Sequence, residues 1–386
     1  MKVVIVNCFD TYEERVDLIY DFFISNNYSV SVVQSDFRHM RKDYRKEEKK
    51  DYFFVKSKRY HKNLSIKRLA SHYKFSKDAF NIVKKIEPNI LYVLLPPNSL
   101  AKYSSIYKNT HNEVKLIFDI IDLWPETMPI GNAKNLLPFK FWKSLRSNGL
   151  KKADFVITEC NLFQEVLSEE LQDLKKETLY LAKKDINVIH LTSLSENKFD
   201  LCYLGSINNI IDIEKIKEII RIFNSVKPTT LHIIGDGENK GLLIDTIKSI
   251  GASVEYHGKI YNPQEKQNIF DKCHFGLNIM KDSVCVGLTM KSIDYFQHGL
   301  PIINNIKADT TELVEEYKVG FNEIDFEKEL LSKKIQNLSV DDVIEMKKNA
   351  FRLFNEKFSK GAFNKKLTEI IYRLKDENGN YKKKIK

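Results

Sequence analysis

The sequence lacks any uninterrupted apolar run long enough to cross a bilayer, which sets aside a helical membrane-spanning protein. Its five cysteines (Cys8, Cys160, Cys202, Cys273, Cys285) fall into no C-x-x-C or Cys/His pattern with metal spacing. An odd number of scattered thiols without an export signal is expected to stay reduced and mostly buried, with no disulfide and no zinc or other metal. The opening residues 1–7 carry neither a basic leader nor a small-residue cleavage site. They read as a buried strand, so the expected location is the cytoplasm, or peripherally the inner face of a membrane. No strict G-x-G-x-x-G follows that strand; Asn7-Cys8-Phe9-Asp10 stands there, which weighs against a nicotinamide-dependent Rossmann enzyme. Helix-turn-helix, RRM and OB-like patterns are missing too, so no nucleic-acid partner is expected.

What is present is a chain of 386 residues, 42% apolar and 30% charged, enough for two soluble domains with a core each. Short β-branched runs alternate with amphipathic helical stretches, the signature of α/β folding around parallel sheets. Strands are expected at 3–6, 28–33, 90–95, 114–120, 155–158 and 178–181. After a polar, aperiodic stretch at 183–198, read as a hinge, the pattern restarts. Strands are then expected at 201–204, 231–234, 254–256, 275–280, 301–304 and 319–322. Between them Val16, Ile19, Tyr20 and Phe23, and later Ile213, Ile216, Ile219, Ile220 and Phe223, recur at helical spacing. Residues 340–375 are helical in period. The expected organisation is a Rossmann-like domain at 1–185, a second at 186–345, helices at 346–375 packing back on the first, and a basic tail at 376–386.

Charge is unevenly spread. Between Arg38 and Arg68 stand 13 Lys/Arg against 4 Asp/Glu, with Tyr44, Tyr52, Phe53, Phe54 and Tyr60 interleaved. Two readings stand side by side: a solvated loop and helix face, or a patch that meets anionic lipid headgroups or an acidic acceptor.

In open parallel sheets, ligands bind outside the carboxyl ends of the strands. Gly205-Ser206 follows one expected strand and Gly235-Asp236-Gly237 the next, each a turn in which backbone can approach a phosphate. The densest signal is Val286 to Asn305. Thr289 is read as the start of a short helix that ends at Gly299, with Pro301 opening the next strand. Lys291 then lies in the first turn, where the helix dipole disfavours a cation unless an anion is bound. Asp294 follows at i+3. A lysine for a diphosphate and a carboxylate for ribose hydroxyls suit a nucleotide sugar; an ordinary surface pair is the plainer reading.

The stretch from Val286 to Ile303 resembles the donor-site segment of family 4 glycosyltransferases of GT-B fold, in the branch that serves bacterial polysaccharide and capsule synthesis. Tyr203-Leu204-Gly205-Ser206 is similar to that family's first C-domain strand and glycine loop, and Ile234-Gly235-Asp236-Gly237 to its G-D-G turn. Residues 254–260 look like the segment meeting the base, and Asp122-Leu123-Trp124-Pro125-Glu126 like a turn beside the cleft in some members. The resemblance implies two Rossmann-like domains facing across a cleft, and a sugar moved from a nucleotide donor, with a UDP-sugar expected, to a saccharide or lipid-linked saccharide. It implies retention of configuration and no cofactor or metal. Asp294 takes the place of the second acid of the family's E-x7-E motif. Lys291 and Asp122 are the implied catalytic residues. Gly205, Ser206, Asp236, Gly237, Gly258, Lys259, Ile260, Leu288, Thr289, Lys291 and Asp294 are implied for the donor. Trp124, Glu126, Arg59 and Lys62 are expected to meet the acceptor. The sequence departs from the family at Val286, where the first acid belongs, at Ser206, where an arginine belongs, and at Ile121, where a histidine belongs. The rival readings are the nicotinamide enzyme and a carbohydrate- or sugar-nucleotide-binding protein without activity.

Overall fold

A computed structural model describes residues 1–62, 65–128, 131, 135–184, 194–322 and 328–375. The expected tail at 376–386, and residues 185–193 of the expected hinge, lie outside these. The chain divides into two compact units: Met1–Leu181 together with the chain from Asn364, and Ala182–Phe363.

The first unit is built on a seven-stranded parallel sheet. Its order is Tyr52–Val55, Ser29–Ser35, Lys2–Asn7, Ile90–Leu95, Lys115–Ile120, Phe155–Thr158 and Lys176–Thr178. Val3, Val4, Ile5 and Val6 have no exposed surface, as a strand covered by helices on both faces requires. Helix Glu13–Ser25 buries Val16, Ile19 and Phe23 on the sheet, while Tyr20 stays half-buried and donates its hydroxyl to Asp51. The same helix buries Arg15, which forks onto Asp119 of the central strand at 2.8 and 2.9 Å and donates to the Leu179 carbonyl. Tyr92 donates to the same carboxylate, so the buried charges are answered from several sides.

The second unit holds a six-stranded parallel sheet in the order Ser253–Gly258, Thr229–Ile234, Phe199–Leu204, Phe275–Asn278, Ile302–Asn304 and Gly320–Asn322. Helix Ile213–Val226, capped by Asp212 on the Lys215 amide, buries Ile216, Ile219, Ile220 and Phe223 against it. In both sheets the chain reverses its direction of spread beside its first strand: between Lys2–Asn7 and Ile90–Leu95, and between Phe199–Leu204 and Phe275–Asn278. These are the switch points at which such sheets open a crevice.

The structure differs from the sequence reading in four places. The charged segment hides a strand, Tyr52–Val55, which pairs in parallel with Ser29–Ser35 at the sheet edge, where charged neighbours are normal. It also hides a two-residue hairpin, Phe37–Arg38 with Asp43–Tyr44. The strand expected at 178–181 runs at Lys176–Thr178 instead, because Leu179 and Tyr180 offer their carbonyls to Arg15 rather than to a ladder. The helical C-terminal stretch is divided: Val340–Leu353, a π turn at Phe354–Phe358, then Lys360–Lys375. The five cysteines are free thiols, four of them buried.

Candidate functional site

The switch point of the second unit carries a cavity of about 730 Å³. Its walls are the turns after four strands. Gly205 and Ser206 follow Phe199–Leu204, and Gly235 and Asp236 follow Thr229–Ile234. Lys259 and Ile260 follow Ser253–Gly258, while Met280 and the segment to Lys291 follow Phe275–Asn278. Close backbone approach explains one glycine here. A Cβ on Gly235 would lie 1.9 Å from the Gly205 carbonyl oxygen, so the two turns touch only because Gly235 has none.

Thr289 caps helix Met290–Gln297, its hydroxyl accepting from the Ser292 amide at 3.1 Å. Tyr295 fixes that helix to the sheet: its ring covers Gly276, its hydroxyl accepts from the Leu204 amide at 2.7 Å, and it donates to the Cys202 carbonyl. Lys291 therefore stands in the first turn, where amides have no intrahelical acceptor. Its Nζ lies 5.0 Å from the centre of the Tyr203 ring and 3.5 Å from the Ile279 carbonyl. Burial pushes the ammonium down to about pKa 7. Among the described residues it meets no carboxylate within ion-pair distance. A cation so placed, at the positive end of a helix and short of water, is stabilised by a bound anion.

Asp294 lines the same cavity but faces two other cations, Lys183 at 2.7 Å and Lys266 at 3.2 Å. Burial pushes its carboxyl up, and the two ammonium groups more than offset this, so its pKa falls below the ordinary value. The expected face shared by Lys291 and Asp294 is thus replaced by a lysine–aspartate–lysine cluster drawn from distant parts of the chain. Neither Lys183 nor Lys266 carries a motif, and their pairing is legible only in three dimensions. Of the expected donor residues, Gly205, Ser206, Asp236, Lys259, Ile260, Leu288, Thr289, Lys291 and Asp294 line the cavity. Gly237 and Gly258 do not; they shape the turns. Gly237 lies against the Ile207 backbone, and the Gly258 carbonyl accepts from the Gly235 amide at 2.8 Å. Val286 lines the cavity with an apolar side chain.

The first unit has a smaller cavity at its own switch point, about 260 Å³, lined by Phe9, Thr11, Tyr12, His39, Met40, Arg68, Asp122 and Trp124. Asp122 accepts from the Trp124 indole at 2.6 Å and from the Thr127 hydroxyl, and burial holds its carboxyl above the usual range. The guanidinium of Arg68 lies 4.3 Å from the Trp124 ring, 5.6 Å from Phe9 and 5.9 Å from Tyr60. Sequence reading missed it because it stands in a charge run; its burial comes from the face that helix Ile66–Ile86 turns to the sheet. Asp10 accepts from the His39 and Met40 amides and so anchors a loop.

Three residues expected at the acceptor lie outside this cavity. Glu126 is engaged by Arg146, whose buried guanidinium it meets at 2.6 and 2.9 Å, with Lys143 at 3.4 Å. Arg59 and Lys62 are exposed and line neither cavity.

No family model matches the chain, and no curated protein matches it. Solved structures do. Sucrose-phosphate synthase from Thermosynechococcus elongatus superposes with a TM-score of 0.68 at 10% identity, over 97% of this chain and 99% of that one. HepE of Anabaena, solved in complex with UDP, gives 0.65 at 12% identity over 96% and 100%. The lipopolysaccharide outer core galactosyltransferase WaaB gives 0.65 at 14% over 96% and 99%. The chain therefore has the GT-B fold, two Rossmann-like α/β domains with parallel sheets.

Proposed function

We propose that this chain is a glycosyltransferase that takes its sugar from a nucleoside diphosphate donor bound in the larger cavity. Lys291 carries the reading: a desolvated ammonium at a helix N-terminus, aimed into a cavity and lacking a carboxylate partner among the described residues. The pyrophosphate supplies the missing charge, and Asp294 with its two lysines takes the ribose side. When the glycosidic bond breaks, its electron pair goes to the leaving phosphate oxygen. Lys291 and the first-turn amides then stabilise that charge without reorganising, the situation in which fixed dipoles count most. The leaving phosphate accepts the acceptor's proton, consistent with retention at the anomeric carbon. The capture of UDP by HepE, a protein of the same fold, makes a UDP-sugar the first donor to try.

On the acceptor side the reading is a lipid-linked saccharide in polysaccharide or capsule synthesis, met by the first unit at the inner face of a membrane. Its support is the surface of that unit. Ile66 is 85% exposed, Leu137 81% and Phe141 64%, beside Lys67 and Lys140, which have no ion pair among the described residues, in a unit that also carries the exposed cations Lys56, Lys58, Arg59 and Lys62. Apolar anchors combined with cations suit an anionic leaflet. Among the described residues, no helix is long and apolar enough to cross a membrane. Sedimentation with liposomes, with and without anionic lipid, tests this part; equal partitioning of wild type and Leu137→Ser/Phe141→Ser counts against it.

A thermal-shift panel of UDP-, GDP- and dTDP-sugars, followed by turnover of whichever binds, tests the donor reading. Binding with transfer or hydrolysis supports it. Binding without turnover assigns the chain to non-catalytic sugar-nucleotide recognition, and stabilisation by none of the sugars overturns it.

A further inference from the structure

His232, Glu255 and His257 come together on the second sheet, and none of the three lines its cavity. His232 stands on strand Thr229–Ile234 in register with Glu255 of the edge strand Ser253–Gly258, so the two side chains share a face. The register shifts between Ile233 and Ile234, which pair with Tyr256 and Gly258, leaving His257 as the extra residue of a bulge. Bulges re-aim side chains. Here His257 Nε2 comes within 3.0 Å of His232 Nδ1, and a Glu255 carboxylate oxygen lies 3.4 Å from the first histidine and 4.0 Å from the second.

Two ligands of a tetrahedral zinc ion, each about 2.0–2.1 Å from the metal, lie roughly 3.3 Å apart. The observed edges of 3.0, 3.4 and 4.0 Å bracket that value. Behind the trio, buried Asp200 lies 3.2 Å from His232 Nε2. Its carboxylate accepts the Nε2 proton and leaves the Nδ1 lone pair facing Glu255 and His257. A carboxylate that fixes the tautomer of a metal-binding histidine is the usual outer partner in zinc sites.

We propose that His232 Nδ1, His257 Nε2 and Glu255 form a binding site for a divalent cation of zinc type, with Asp200 as the positioning residue and solvent in the fourth place. Two imidazoles and one carboxylate favour zinc over calcium or magnesium, which prefer all-oxygen sites. Without metal the two histidines share an N–H···N hydrogen bond. Binding moves the His257 proton from Nε2 to Nδ1 through solvent and turns the facing nitrogens outward onto the ion. The site ties the edge strand to its neighbour, directly before Gly258, Lys259 and Ile260, which shape and line the larger cavity. The cysteine and histidine spacing that argued against metal could not show this, because the two histidines stand 25 positions apart and meet only through strand pairing.

The test uses the full chain stripped of metal by a chelator, with zinc alone competed against a chromophoric zinc indicator. One zinc per wild-type chain is expected. His257→Ala and Glu255→Gln, both at positions with solvent access, should each weaken it at least about tenfold. Zinc should raise the Tm of the wild type and leave that of His257→Ala unmoved, while both share a Tm without zinc. Cobalt in place of zinc should give the visible absorption of a tetrahedral ion. No stoichiometric zinc in the wild type, or equal zinc affinity in His257→Ala, overturns the proposal; the second result would place the ion elsewhere, on half-buried Cys285 for example.

Discussion

The cavity of the second unit, about 730 Å³, sits over a lysine that no described carboxylate pairs; that of the first, about 260 Å³, sets an arginine among aromatic rings, with a carboxylate elsewhere in its wall. Both lie at the switch point of a parallel sheet, so topology alone does not distinguish them. What differs is where each buried cation finds its compensation. Arg68 has the faces of Trp124, Phe9 and Tyr60 around it, with Asp122 in the same wall, so rings answer part of its charge inside the fold, although burial still pulls its pKa below the ordinary value. Lys291 has one ring, Tyr203, and a carbonyl at 3.5 Å, which leaves most of its charge unanswered among the described residues. On the proposed reading the larger cavity therefore suits an anion, whereas the smaller already surrounds its cation with rings.

The sharpest way to break this contrast is Lys291→Met. Removing a cation that stabilises developing phosphate charge should lower kcat/KM for the donor by about 10²–10³. The Tm of the ligand-free protein should hold or rise, since a desolvated charge is lost. A fall in Tm would mean that the lysine is answered within the fold. Next in size, Glu126→Ala should destabilise the first unit by about 3 kcal/mol in urea unfolding, because buried Arg146 loses its bidentate carboxylate and keeps only that of Glu170 at 4.0 Å. Little change would return Glu126 to the acceptor. Asp294→Asn should weaken donor binding by roughly tenfold in calorimetry, about the worth of one charge-assisted hydrogen bond; unchanged affinity would remove Asp294 from the ribose.

The pH dependence sharpens the comparison further. The folded Lys291 titrates near 7 and the unfolded one near 10.5, so between those values the unfolded chain holds more protons. Ligand-free stability contributed by this residue should therefore rise with pH across that window, and be flat below it. Nucleotide affinity should fall over the same range as the ammonium is lost. Both trends should vanish in Lys291→Met when Tm and affinity are followed from pH 6.5 to 9. The smallest effect is expected for Arg59→Ala with Lys62→Ala. Both side chains are exposed, so stability should move by no more than about 0.5 kcal/mol and turnover of a soluble acceptor hardly at all.

The larger cavity was legible in the sequence to the extent that it is local. Four of the six strands are followed at once by a turn that lines the cavity, and Thr289 marks the helix start within three residues of Lys291. The alternation of strands and helices was legible for the same reason. What stayed hidden depends on distant partners: Lys183 and Lys266 on Asp294, Arg146 on Glu126, and the burial of Arg68. Charge misled twice in the stretch from Arg38 to Arg68. It disguised the edge strand Tyr52–Val55, and it suggested an excess that the fold partly cancels. Arg38 pairs with Asp43, Arg45 with Glu13 and Lys49 with Asp17, two of those acids lying on helix Glu13–Ser25.

The most direct measurement is isothermal titration of UDP into the wild type and Lys291→Met at pH 7. Saturable binding to the wild type, weakened at least about tenfold in a variant whose unfolding is as cooperative and no earlier, is the expected result. Equal affinity in the two proteins would contradict a phosphate site at the start of helix Met290–Gln297.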